Sequence, residues 1–146
     1  MVRTRTDGFS LVELMIVVGL IAVLGGMTVP QIVAGMRQYS VISASQQVVS
    51  TIRSARVQAV GRNSRVRVRF DEAAGEFQSE IWNGAAWVVL SGVNQLADGL
   101  SFDGPVDILF ETNGRMAGAA VNFNVTNGEG YDRTIAVSTS GQVRLQ

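Results

Sequence analysis

The chain of 146 residues contains no cysteine, no histidine and no lysine. Without cysteine it has no disulfide framework. Without histidine or cysteine it has no Ser-His-Asp or Cys-His nucleophile system and no zinc site of the usual type. These absences exclude the commonest hydrolytic and metal-dependent enzymes, so we expect no catalytic residue, no cofactor and no metal.

Acidic residues are absent from one long stretch, although the formal net charge is zero. Between Glu13 and Asp71 the charged residues are arginines only: Arg37, Arg53, Arg56, Arg62, Arg65, Arg67 and Arg69. From Asp71 to Asp132 ten acids face Arg115 alone. This segregation favours head-to-tail contact with copies or relatives of the chain. The alternative is that the uneven distribution of charge along the sequence has no function.

Charged residues are almost absent from residues 7–30, "DGFSLVELMIVVGLIAVLGGMTVP". The apolar part, about 21 residues, makes roughly 32 Å of helix, which is enough to cross a hydrocarbon core. Arg3 and Arg5 precede it, which predicts a cytoplasmic N-terminus and a body on the other side of the membrane. No small-residue A-x-A site precedes Pro30, so we expect no cleavage after the run.

Glu13 is the one ionisable residue inside this run. A charged side chain costs about 2.5–3.5 kcal/mol at the bilayer centre on insertion scales, so such a residue is a functional candidate that needs a partner. The alternative is that Glu13 lies near the headgroups and snorkels to water.

The segment "GFSLVE", Gly8 to Glu13, resembles the class III signal of type IV prepilins and type II secretion pseudopilins. That family is cut between a glycine and a following aromatic residue, with a glutamate four residues further on. The resemblance implies that prepilin peptidase cuts between Gly8 and Phe9 and methylates Phe9. Pro30 stands where these families commonly carry a helix-bending proline. A plain signal anchor that happens to contain a glutamate is the alternative.

The resemblance also implies a partner for Glu13. Cleavage leaves Phe9 with a free α-amine, which is positively charged near neutral pH, and in the family's filaments this amine pairs with the glutamate of a neighbouring subunit. A carboxylate in a low-dielectric bundle is tolerated when it meets an opposite charge. Glu13 and Pro30 are therefore expected to serve assembly. The implied partners are other pilins or pseudopilins and the inner-membrane assembly platform.

Beyond Pro30 the pattern stays helical and becomes amphipathic. Apolar and small residues recur at steps of three and four: Val41, Ser45, Val48, Ile52, Ala55 and Ala59. Val49 and Val60 widen this stripe. The pattern predicts a helix that runs to about Val60 and ends near Gly61.

The remaining residues read as strands. "RVRVRF" alternates, which places Val66, Val68 and Phe70 on a core face and the arginines on the other face. Asn83-Gly84 joins "FQSEIW" to "WVVL" as a hairpin, with Trp82 and Trp87 as packing aromatics. Further strands are expected in "VDILF", "AAVNFNV", "RTIAVS" and "QVRL". The sequence therefore predicts an α+β fold, a long N-terminal helix on an antiparallel sheet of six or seven strands.

The body resembles the GspH/FimT group of minor pseudopilins and minor pilins. "TIRSARVQAVGRNSRVRVRF" carries that group's "AR..A" pattern before the first strand, and "ILFETNGRMAG" and "IAVSTSGQVRL" match its strand-turn and last hairpin. The resemblance implies a pilin-like chain with four parts: a prepilin leader (1–8), a transmembrane assembly helix (9–30), an amphipathic continuation (31–62) and a periplasmic β-rich head (63–146). It implies a single pass through the bacterial inner membrane, followed by residence in a filament.

The leading hypothesis is a structural subunit of a type II secretion pseudopilus or a type IV pilus. The alternative is a FimT-like protein that binds DNA for uptake. Such proteins use a "GRxR" loop, and here Gly141 to Arg144 reads "GQVR", so Gln142 replaces the first arginine. Four other arginines, together with Arg144, offer phosphate contacts: Arg62, Arg65, Arg67 and Arg69. Exposed arginines on a strand are, however, usually just solvated.

An enzyme that uses paired acids is a third class. Glu76 with Glu80, or Asp98 with Asp103, offer a general acid and base in principle. Acids near turns are usually solvated, and "DGLSFDGPVD" does not match the spacing of an EF-hand loop, so no catalytic or calcium site is assigned.

Overall fold

The structure is a computed structural model that describes residues 9–104 and 107–146, apart from the side chains of residues 27–30 and 34. The chain divides into two units, one ending at Met36 and the other spanning Arg37–Gln146. One helix, α1, spans Leu11–Gly61 and contributes residues to both units.

In the first unit, the described side chains of α1 are exposed and mostly apolar. The backbone N–H of Leu14 donates to the carbonyl of Ser10 at 3.1 Å, which places Ser10 just before the first turn. An 18-residue window of α1 has a mean hydropathy of 2.3 and no burial. Within the described residues, α1 is the one helix long and apolar enough to cross a membrane, judged by length and composition.

In the second unit, α1 buries the predicted stripe. All six positions from Val41 to Ala59 are buried, and so is Val49. The prediction for Val60 was wrong, since its side chain is 53% exposed. Successive helix residues are separated by about 100°, so Val60 points away from the stripe that Ala59 continues. The helix ends at Gly61, as predicted, and the Ser64 hydroxyl then donates to the Trp82 carbonyl at 2.6 Å.

Nine strands are described in the second unit. They are β1 (Val66–Asp71), β2 (Glu76–Trp82), β3 (Trp87–Val89), β4 (Asn94–Gln95), β5 (Ser101–Asp103), β6 (Ile108–Phe110), β7 (Val121–Thr126), β8 (Asp132–Val137) and β9 (Val143–Leu145). One sheet has the order β3-β2-β1-β6, with β4 also paired to β2, and the other has the order β5-β7-β8-β9. All of these pairings are antiparallel.

The strands differ from the prediction in number and in grouping. Each predicted strand is present within a few residues, and β2 and β3 form the predicted hairpin, with Asn83-Gly84 in the connection between them. The short strands β4 and β5 were not predicted. The chain also forms two sheets instead of one. β6 pairs with β1 in the first sheet, while β7, β8 and β9 pair with one another in the second.

The helix and both sheets share one hydrophobic core. Val48 and Ile52 of α1, Val66 and Val68 of β1, and Ile135 of β8 are fully buried in it. Four aromatic rings join the two sheets, with centroids 5.2–6.4 Å apart: Phe70, Phe77, Phe102 and Phe123. Phe70, predicted on the core face, is half-buried and contacts the other three rings.

Candidate functional site

The predicted assembly residues lie at the start of α1. Glu13 is in the first turn, where the positive end of the helix dipole favours a carboxylate. Both Glu13 and Phe9 are exposed, Phe9 at 84%. Among residues 9–104 and 107–146, no cationic group lies within 4.0 Å of Glu13. The site is thus a carboxylate that stands among exposed apolar side chains and is open to a cation from outside the chain.

Two other predicted residues are described only partly or not at all. Gly8, on the leader side of the predicted cut, lies outside the described residues. Pro30 lies within α1, and its side chain is not among those described. The helix continues through this position, because a proline inside a helix removes one backbone hydrogen bond without ending the helix when its neighbours support it.

Arg67, predicted to contact phosphate, is held by its own sheet. Its guanidinium lies 2.6 Å from Glu80 Oε2, and it stacks over the Trp87 ring at 4.5 Å from the centroid. Gln78 donates to the other Glu80 oxygen at 2.7 Å. The Glu80 side chain is only 6% exposed, so this ion pair satisfies a nearly buried carboxylate.

Of the other predicted arginines, Arg69 lies on the same face of β1 as Arg67, since both alternate with the buried Val66 and Val68. Arg65 lies over the Trp82 ring at 5.4 Å, and Arg69 lines a small cavity together with Asp71 and Glu76. Arg62 follows α1 in the turn. Arg144 belongs to β9, in the other sheet. Carboxylates thus lie beside Arg67 and Arg69, while Arg62 and Arg144 belong to other parts of the chain. Phosphate binding by these arginines stays a prediction.

The Arg67–Glu80 pair predicts unequal effects of two neutralising substitutions. Arg67→Met leaves a nearly buried carboxylate without its cation and is expected to lower the free energy of unfolding by about 2–4 kcal/mol. Glu80→Gln leaves the more exposed guanidinium to water and should cost roughly half as much. Urea unfolding of the full chain in mild detergent measures both. Equal losses, or a larger loss for Glu80→Gln, would show that the pair does not serve to neutralise Glu80.

A second arginine cluster was missed by the sequence analysis. Arg53 donates to the Val143 carbonyl at 3.2 Å, and Arg56 Nε donates to the Gly114 carbonyl at 2.9 Å. Together with Arg144 they line a groove of about 420 Å³ between α1 and the turn before β9. The signal in the sequence was the spacing of Arg53 and Arg56, three residues apart on one helix face.

These features define the class of the protein. A helix with an apolar, exposed first part and a carboxylate in its first turn, whose later part packs on antiparallel sheets, is the design of a pilin or pseudopilin. The prokaryotic N-terminal methylation motif matches residues 3–29, and the model of the type II transport protein GspH matches residues 44–141. The chain belongs to the GspH family. No protein with a curated description matches it significantly.

Two solved structures show the same fold. The type IV minor pilin FimU of Pseudomonas aeruginosa strain PAO1 superposes with a TM-score of 0.62 at 16% identity, over 73% of this chain and 87% of FimU. The minor pseudopilin EpsH from the type 2 secretion system of Vibrio cholerae gives a TM-score of 0.58 at 16% identity, over 72% of this chain and 94% of EpsH. The predicted pilin-like α+β fold and the resemblance to GspH/FimT-like minor subunits are confirmed. Fold and family are those of structural subunits.

Proposed function

We propose that the chain is a minor subunit of a type II secretion pseudopilus or a type IV pilus. In this proposal prepilin peptidase cuts it between Gly8 and Phe9, methylates Phe9, and the mature chain assembles through α1. The observation that carries the proposal is Glu13, a carboxylate in the first turn of an exposed apolar helix, inside the methylation motif at residues 3–29.

The division of labour along the chain follows the same proposal. Residues 1–8 are the leader, 9–30 the membrane and assembly helix, 31–62 its amphipathic continuation and 63–146 the head. The apolar helix and the family support membrane anchoring. Arg3 and Arg5 support a cytoplasmic N-terminus and a periplasmic head, because positive charge is in excess on the inner side of membranes.

The charges explain why processing would precede assembly. An unprocessed chain carries a leader with Arg3, Arg5 and Asp7 ahead of Phe9, so it has no α-amine at the level of a neighbour's Glu13. Cleavage creates that amine. A carboxylate and an amine brought together in a helix bundle each remove the cost of burying the other, whereas either one alone is strongly unfavourable. Only processed subunits would therefore pack side by side, with other pilins and the assembly platform as partners.

Mass analysis of the membrane-extracted protein tests the proposed processing. We expect the loss of residues 1–8 and one methyl group on Phe9. Gly8→Val should leave the chain at full length, because a branched side chain replaces the glycine at the cut. Gly19→Val, at a helix position with open space around it, should be processed normally. An intact N-terminus in the unsubstituted protein, or cleavage beyond Val29, would contradict the proposal.

A further inference from the structure

Three acidic side chains of the second unit lie close to the first residues that α1 contributes to this unit: Asp98, Glu129 and Asp132. Glu129 pairs with Arg37 at 2.5 Å. Asp98 lines a cavity with the same two residues, and Asp132 lines another with Val41.

The turn between β1 and β2, residues 71–76, carries three further carboxylates, and two of them, Asp71 and Glu76, line a cavity together with Arg69. We call it the acidic turn; it reads "DEAAGE". β1 begins just after the end of α1 and runs back for six residues, about 20 Å. A hydrogen bond of 3.4 Å from Gln47 to Asn94, which pairs with Phe77, fixes the neighbouring part of β2 beside the middle of α1. Residues 71–74 of the turn are exposed.

The groove lined by Arg53, Arg56 and Arg144, here called the basic groove, lies further along α1. Two of its guanidinium groups are held by backbone carbonyls and are thereby oriented with donors to spare. Among the described residues, no carboxylate lies within 4.0 Å of these three arginines. Val57, 70% exposed, adds an apolar wall. The groove therefore suits a ligand that offers carboxylates next to small apolar groups.

The acidic turn of another copy has this composition. Asp71, Glu72 and Glu76 supply carboxylates, and Ala73 and Ala74 between them are small exposed apolar residues. Arginine binds carboxylates through two parallel N–H···O bonds, which fix geometry as well as charge. A phosphodiester backbone would satisfy the arginines but leave Val57 without a partner. We infer that the basic groove of one subunit binds the acidic turn of a second copy of this chain.

Such a contact joins two different surfaces, so each copy can bind one neighbour at its groove and another at its turn. Contacts of this kind build open, helical assemblies unless the rotation closes a ring. The inference rests on the proposed function, in which subunits stand side by side in a filament, and it adds a head contact to the helix contact at Glu13. Its strength should fall with salt, because the charges concerned are exposed.

The test measures self-association of the purified full-length chain in mild detergent, by sedimentation at low and at high salt. The groove variant is Arg53→Glu with Arg144→Glu. The turn variant is Glu72→Arg with Glu76→Arg, which keeps Asp71 because its carboxylate holds the Ala74 N–H at 3.1 Å. Arg62→Glu with Arg65→Glu is the matched control, since it makes the same change of charge at exposed positions outside the groove.

The unsubstituted chain and the control should self-associate beyond dimers at low salt, with at least tenfold weaker association at high salt. Each variant alone should be at least tenfold weaker at low salt. An equimolar mixture of the two variants should form dimers and nothing larger, because it contains one intact groove and one intact turn per pair. Thermal unfolding checks that all variants fold, and neutral versions with glutamine replace any that do not.

Three results would overturn the inference: self-association of the groove variant like that of the unsubstituted chain, a mixture that stays monomeric, or duplex DNA binding that depends on the groove while the turn variant still self-associates. Because this measurement needs neither cleavage nor a filament, its failure is separate from failure of the proposed function. Association through α1 would be independent of salt and common to all variants.

Discussion

Replacing Glu13 by alanine is expected to reduce incorporation of the chain into filaments by about 100-fold, while its amount in the membrane stays the same or rises. The substitution removes a charge that costs about 2.5–3.5 kcal/mol in lipid, so insertion alone should improve. Assembly should fail because the neighbour's amine is then buried without its counter-charge, at a cost of about 3 kcal/mol or more, and each 1.4 kcal/mol is a factor of ten. The measurement is the ratio of filament-bound to membrane-bound protein after shearing.

Two further substitutions separate charge from shape. Glu13→Gln keeps the size of the side chain and removes its charge, so it should fail as alanine does. Glu13→Asp keeps the charge and withdraws the carboxylate by one methylene, so it should assemble partially. If Glu13→Ala is found in filaments at the level of the unsubstituted chain, Glu13 only snorkels to the headgroups and the pairing is wrong.

The second large effect is expected at Gly141, in the turn before β9. Its φ is +78°, and an added Cβ would lie 2.3 Å from the Gly114 carbonyl oxygen. That oxygen is fixed by the hydrogen bond from Arg56, so it cannot move aside without breaking the contact between α1 and the turn. We expect Gly141→Ala to lower the free energy of unfolding by about 3–5 kcal/mol, in the range of severe core substitutions.

Gly99 is the matched control for this prediction. Its φ of +80° is nearly the same, and nothing lies within 4 Å of a Cβ built there. Gly99→Ala should therefore show the backbone strain alone, about 1–2 kcal/mol. The free energy of unfolding of both variants is measured by thermal or urea unfolding of the full chain in mild detergent, with the fluorescence of Trp82 and Trp87 as the signal. Equal losses would mean that the close approach of the two turns does not hold α1 against the second sheet.

Local patterns carried much of the fold. The stripe from Val41 to Ala59 and the alternation in β1 are set by helix and strand periods, which a single segment displays. The hairpin β2–β3 follows from the preference of Asn83-Gly84 for a tight turn. Val60 was misplaced because it lies about 100° around the helix from Ala59, at the margin of the stripe, and its side chain is 53% exposed.

Long-range pairing could not be predicted in the same way. The division into two sheets depends on β6 returning to β1, across a separation of about forty residues that no local pattern encodes. The two-residue strand β4 has too few residues to show a period. The Arg67–Glu80 pair follows from the register of β1 and β2, which places the two residues directly opposite each other.

The same distinction between local patterns and long-range contacts applies to the candidate sites. Glu13 could be singled out as a candidate from the sequence because an isolated charge in an apolar run is conspicuous by itself. The basic groove was not found, because Arg53 meets Val143 across ninety positions. Its third arginine, Arg144, had been considered for DNA binding, yet its neighbours in the structure are on α1 and not on β1.

The most direct test of the central claim uses the absence of lysine from the chain, which leaves the α-amine of the mature protein as its only aliphatic amine. Filaments containing mixed ¹⁵N-labelled and unlabelled subunits are treated with a carbodiimide, which joins a carboxylate to an amine in contact with it, and are analysed by mass spectrometry. The account predicts that Phe9 nitrogen is joined to a glutamate of a neighbouring subunit, or Glu13 to a neighbour's terminal amine. Filaments that contain the chain but show Phe9 and Glu13 free, or joined only within one chain, would contradict it.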